Sequence, residues 1–172
     1  MAAEKDMTPA LRKVLGVLAN SKVLVGIPAE GASRSEGGIN NAALGYLFEH
    51  GAPETNMPPR PWLVPGVQAV RDEISKHLAD GARNAIQVTL RGNGDVRAGR
   101  AEADKALHRV GLVAQSSMRG RIQSGIAPAL SERTIYARLH RRKNRRSPGP
   151  MTPLIDTGVF LKSITYAVRV KG

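Results

Sequence analysis

A chain of 172 residues with a formal net charge of +12 has room for one sizeable core, and its charge attracts nucleic acid, an anionic membrane or an acidic protein surface. The absence of cysteine excludes disulfides and thiolate metal sites, and His50, His77, His108 and His140 show no ligand spacing, so no metal and no cofactor is expected. Hydrophobic residues make up 41% but aromatics only 3%, so the core should be aliphatic, and Phe48, Trp62 and Phe160 stand out.

The first six residues lack the basic and apolar segments of a secretory signal, and no apolar run approaches a membrane span, so a protein made and used in the cytosol, without membrane contact, is expected. Thr8-Pro9 opens a first helix with Leu11, Val14, Leu15 and Leu18 on one face, stopping at Asn20-Ser21. A β-branched strand follows at Lys22 to Ile27, then a Gly/Ser-rich flexible loop at 29–38. Ala43, Leu44, Leu47 and Phe48 predict a helix over Ile39 to His50, closed by Gly51 in the left-handed conformation. The prolines at 58, 59 and 61 then make an extended, stiff segment ending at Trp62.

Pro65 begins a predicted long helix with Val67, Val70, Ile74, Leu78, Ala82 and Ala85 as its apolar stripe. Arg91 to Asp95 breaks it. A second helix over about Ala98 to Gln123 carries Ala103, Leu107, Val110, Ala114, Met118 and Ile122, and the two are expected to pair as an antiparallel hairpin. Ser131 should cap a shorter helix leading into a basic arm at 138–150, and Ile164 to Val170 alternates as a half-buried strand. The expected class is α+β: a small antiparallel sheet of N-terminal and C-terminal strands, packed with the long helical hairpin and shorter helices.

Three groups of residues invite a chemical reading. Asp156-Thr157-Gly158 after Leu154-Ile155 has the letters of an aspartic protease half-site, which needs a second aspartate from a partner copy to share a proton. That chemistry belongs to a β-rich chain with a supporting apolar-apolar-Gly element, whereas helical stripes dominate here. The alternative is that the Asp156 carboxylate caps a helix start by accepting from the amides of Gly158 or Val159. Arg138, Arg141, Arg142, Lys143, Arg145 and Arg146 form the densest cationic run and can pair with phosphates without reading bases; a solvated run or one facing an acidic protein is the equal alternative. Trp62 is either a partner anchor or a core residue.

The ordered series Val23 to Pro28, Leu44 to Gly51, Pro58-Pro59-Arg60-Pro61-Trp62-Leu63 and Leu154 to Tyr166 resembles the neck and tail-completion proteins of long-tailed bacteriophages. These are the proteins similar to lambda minor tail protein Z, also described as phage virion morphogenesis or putative tail-component proteins. Trp62 stands where Phe is usual there, His50 where Phe is common, and Val159-Phe160 where a polar residue often precedes Leu. The resemblance implies a single neck or tail-completion domain over 1–172, with Pro59, Arg60, Pro61, Trp62, Asp156, Thr157, Gly158 and Ser163 as structural motif residues and no catalytic site. It also implies a six- or twelvefold ring of copies that meets connector, head-closure, tail-terminator or tail proteins. The virion neck would be its place, after synthesis in the host cytoplasm, with non-specific contact to DNA phosphates as a further partner. A non-specific nucleic-acid-binding protein acting through the basic arm is the alternative.

Overall fold

The computed structural model describes residues 6–29, 38–140 and 151–170. The expected loop at 29–38, apart from its two ends, and the arm from Arg141 to Pro150 lie outside them. The fold is α+β, mostly helical, with a two-stranded antiparallel sheet among the described residues. Its chain divides into two compact units, Met1–Val25, Val70–Ala114 and Tyr166–Gly172 in the first and Gly26–Ala69 and Gln115–Thr165 in the second.

The first unit begins with α1 (Thr8–Asn20), which has Pro9 in its first turn, where a missing N–H costs nothing. Asp6 Oδ1 accepts from the Thr8 amide at 2.9 Å, and the hydrogen bonds from Thr8 hold the Asp6 carboxyl below the usual carboxylate value. Strand β1 (Ser21–Gly26) follows without a loop and pairs with β2 (Thr165–Val170). Val23, Val25, Tyr166 and Val168 are half-buried while Lys22, Leu24, Ala167 and Arg169 face outward, the period-two alternation that the sequence shows.

Two long helices complete this unit, α4 (Arg71–Arg91) and the first part of α5 (Val96–Gln123), preceded in the chain by α2 (Asn41–His50) and α3 (Val64–Gln68) of the second. Close approach, not bulk, packs them: a Cβ on Gly81 would strike Ala106, and one on Gly99 would strike Thr89 and Val14. Val14, Ala85 and Ala103 form a fully buried cluster with Val17, Leu18 and Val96 around it. Asn93 and Gly94, both at positive φ, turn the chain between the helices, and Asp95 Oδ1 caps α5 by accepting from the amides of Arg97 at 2.9 Å and Ala98 at 3.3 Å.

The long helix expected from Pro65 is instead two. Val70 leaves helical geometry at φ −115 and ψ 16, where the chain passes from the second unit to the first. Each piece has its own reason to start where it does. Helix α3 is held within its unit by Ser117 Oγ, which donates to Gly66 O at 2.6 Å, and α4 carries Asp72 and Glu73 in its first turn, against the positive end of its dipole. The buried face of α4 accordingly runs through Gly81, Ala85 and Thr89, while Ile74, Leu78 and Ala82 of the expected stripe are only half-buried. On α5 all six expected residues are buried.

The second unit is built on the C-terminal part of α5 with α2, α3, α6 (Glu132–Leu139) and α7 (Val159–Ser163). Asn40 caps α2 by accepting from Ala43 N at 2.7 Å, and Ser131 caps α6 by accepting from Thr134 N at 3.3 Å. Met118, Ile122 and Ile164 are completely buried and form the aliphatic part of its core.

Candidate functional site

Two of the four segments that carry the resemblance, Pro58 to Leu63 and the part of the last from Leu154 to Thr165, meet in the second unit, and the meeting begins at the end of α2. Gly51 closes that helix at φ 79, and a side chain there would come within 2.9 Å of Pro59 N. Ala52 and Met57 bond each other in both directions, N–H to O at 2.9 and 3.0 Å, with Asn56 in the left-handed conformation between them. This tight return lays the proline segment alongside α2, where Arg60 N donates to Phe48 O at 2.7 Å.

Glu49 then locks the register. Its Oε2 accepts from the amides of Trp62 at 2.7 Å and Leu63 at 2.8 Å, and its Oε1 from Val64 at 3.1 Å. A carboxylate on the free amides at the start of a helix offsets both their unmet hydrogen bonds and the dipole. Prolines at 58, 59 and 61 remove competing donors, so the only amides left in this stretch are those that Phe48 and Glu49 take up.

Trp62 is core, 2% exposed, with its indole Nε1 donating to Gly45 O at 3.0 Å. Gly45 is the seat for the ring: a Cβ there would lie 3.2 Å from Trp62 and 3.4 Å from Phe160. Phe160 stands edge-on to both Trp62 and Phe48, with centroids 5.3 and 5.0 Å apart, a geometry worth about 1 kcal/mol per pair beyond burial. The three conspicuous aromatics of an aromatic-poor chain thus form one cluster, joining the Pro58 to Leu63 segment to the Leu154 to Tyr166 segment.

Arginines fasten the surrounding loops by donating to backbone carbonyls. Arg60 donates from Nε to Pro128 O at 2.9 Å and from Nη2 to Ala129 O at 3.1 Å, and burial lowers its pKa below the ordinary guanidinium value. Arg121 Nε donates to Pro61 O at 2.8 Å. Arg119 Nη2 and Gln115 Nε2 each donate to Ile164 O at 2.7 Å, fixing the end of α7, and Ser163 Oγ donates back to Phe160 O at 2.7 Å.

Arg138 is 7% exposed, so the structure puts this member of the cationic run inside the protein, not among surface phosphate contacts. Its Nη1 donates to Thr152 O at 3.3 Å and Ile155 O at 2.8 Å, and its Nε lies 4.0 Å from Asp156 Oδ1. Between those carbonyls Leu154 sits at φ 65, a conformation that costs a residue with a Cβ about 1 kcal/mol, and the guanidinium clamps the turn on both sides of it. Arg141, Arg142, Lys143, Arg145 and Arg146 lie outside the described residues.

The expected cap by Asp156 is corrected by the structure. The residue that opens α7 is Gly158, at φ 78, and no side chain caps there. Asp156 is drawn instead toward Arg138, because a buried guanidinium requires a counter-charge more than a one-turn helix requires a cap. Thr157 and Pro59 are exposed, whereas Pro61 is half-buried.

Pro58, Arg60, Arg138, Leu154, Asp156 and Phe160 all line one cavity of about 850 Å³, so both motifs face the same space. Its acid sits beside a guanidinium, and its buried arginines donate to backbone carbonyls, so these side chains hold the shape of the cavity wall. Among the described residues no group of three His, Asp or Glu could hold a metal ion, and no helix is long and apolar enough to cross a membrane. Sequence reasoning missed Gln115, Arg119 and Arg121 as fasteners; their signal was three long polar side chains within seven residues, flanking or interrupting the apolar face of α5. Comparison with protein-family models, curated proteins and solved structures finds no match.

Proposed function

We propose that this protein is a structural component of the head–tail joint of a long-tailed bacteriophage, assembling as several copies in a ring that completes the neck or tail end and acting without catalysis. The observation that carries the reading is the convergence of the Pro58 to Leu63 and Leu154 to Tyr166 segments on one aromatic cluster and one cavity. Short motifs far apart in a chain are worth retaining together when each is half of one packed unit, and here their polar groups bond backbone. Such residues specify a shape for neighbours to dock on. In a ring at the joint, the partners are further copies of the chain and the connector, head-closure, tail-terminator or tail proteins.

Phage particles made without the protein test this reading. Filled heads and finished tails that fail to join are the expected product, with joining restored by the wild-type protein; an Asp156→Asn variant shown by circular dichroism to be folded should restore it too, whereas an aspartic protease would lose its activity. Normal joined particles in its absence would overturn the proposal. Tight DNA binding by the monomer, together with no affinity for a connector or tail-end ring, would favour the nucleic-acid-binding alternative.

A further inference from the structure

We infer that the first unit carries a binding groove for the phosphate backbone of duplex DNA, formed by α1 and the first turns of α5 and separate from the cationic run after Arg138. Gly99 makes the groove possible: with no side chain there, Val14 of α1 packs directly on the backbone of α5, and the faces beside the contact come together. Arg12, Lys13 and Arg100 then line one groove of about 490 Å³, and Arg97 and Arg100 an adjoining one of about 500 Å³, with Asp104 lining both. On each helix the lining residues recur at the same spacing, 12, 13, 16, 17 and 20 on α1 and 96, 97, 100, 101 and 104 on α5, so each contributes one continuous face.

Four cations therefore face one carboxylate. Among the described residues no ion pair or hydrogen bond engages the side chains of Arg12, Lys13, Arg97, Arg100 or Asp104. Arg97 and Arg100 are also placed against the positive end of α5, where acidic residues are the favourable choice and where its first turn has none. The amides at that end are already taken by Asp95, so the site consists of side chains. Like charges held together in this way oppose folding, and a polyanion in the groove reverses the sign of that interaction.

The lining decides which polyanion. It has no aromatic residue, so it lacks the stacking platform that single-stranded nucleic acid uses and the aromatic anchors typical of protein interfaces. Exposed guanidinium and ammonium groups without aromatics suit a regular array of phosphates, read for charge and spacing but not for sequence. This inference does not depend on the proposed role at the head–tail joint, and each can fail alone.

The test is fluorescence anisotropy of a short labelled duplex of mixed sequence, titrated with the full-length protein over a range of salt. Each phosphate contact contributes about 0.9 to the slope of log affinity against log salt, so R12Q/K13Q/R97Q/R100Q should lower that slope by roughly 3 to 4. The control R71Q/K76Q/R83Q/R109Q removes the same charge from exposed positions that do not line the groove, and should lower it by less than about 1. Circular dichroism at low salt should show the groove variant at least as heat-stable as wild type. Equal losses in both variants, or an unchanged slope in the groove variant, would overturn the inference; so would loss confined to a variant neutralised at Arg141, Arg142, Lys143, Arg145 and Arg146.

Discussion

In the first unit helices meet each other and strand β2 over side chains that are scarcely there: Gly81 on Ala106, Gly99 on Val14 and Thr89, and Gly111 beneath the ring of Tyr166. In the second unit the contacts are long and directional, from Arg60, Arg119, Arg121 and Arg138 to carbonyls and from Glu49 to amides, around an aromatic cluster. The two halves of the molecule thus differ in their commonest weakness, although Gly51 and Gly66 of the second unit leave no room for a Cβ either. Close-packed small residues tolerate no added atoms, while clamps and aromatic anchors tolerate no removal.

The largest effect should come from removal in the second unit. Trp62→Ala takes away an indole that is buried, hydrogen-bonded and edge-on to Phe160, and should cost about 4 kcal/mol in urea denaturation. Next comes addition in the first: Gly81→Val drives its side chain into Ala106 and should cost about 3 kcal/mol, whereas the smaller Gly120→Ala, with open space around its Cβ, should be neutral or slightly stabilising. A neutral Gly81→Val would break the contrast between the units.

Arg138→Met sharpens the comparison, because it keeps most of the apolar stem and removes the donors together with the charge beside Asp156. The carbonyls of Thr152 and Ile155 lose their guanidinium and the turn at Leu154 loses its clamp, at a cost of about 2 kcal/mol by the same measurement. An unchanged midpoint would mean that the apolar stem, not the charge, holds the turn. The smallest expected effect is at Ser131, where Ala removes a helix cap worth about 1 kcal/mol.

The same contrast explains what could be seen in the amino-acid sequence. Periodicity revealed α1, the two strands and six buried residues of α5 between Ala103 and Ile122, though not Ala106 or Gly111, because each depends on neighbours three, four or two residues away. It failed at Val70, where an uninterrupted apolar stripe hides a break, although Asp72 and Glu73 mark a helix start. It also failed at Arg138: a cation at the head of a basic run looks like surface until the carbonyls of Thr152 and Ile155, more than a dozen residues on, supply a reason for burial. Glu49 and Arg121 belong to the same class, since their partners lie 13 to 60 residues away and leave no local pattern. Asp156 was misjudged because a local cap is the nearest use for an aspartate before a glycine, and a buried guanidinium is a stronger claim on it.

The role at the head–tail joint is the central claim, and imaging of intact particles by electron cryomicroscopy tests it most directly. The expected result is a ring of copies at the neck or tail end, with density into which the Trp62, Phe48 and Phe160 cluster can be traced. Particles whose joint is fully accounted for by other chains, with this protein absent from the purified virion, would contradict it.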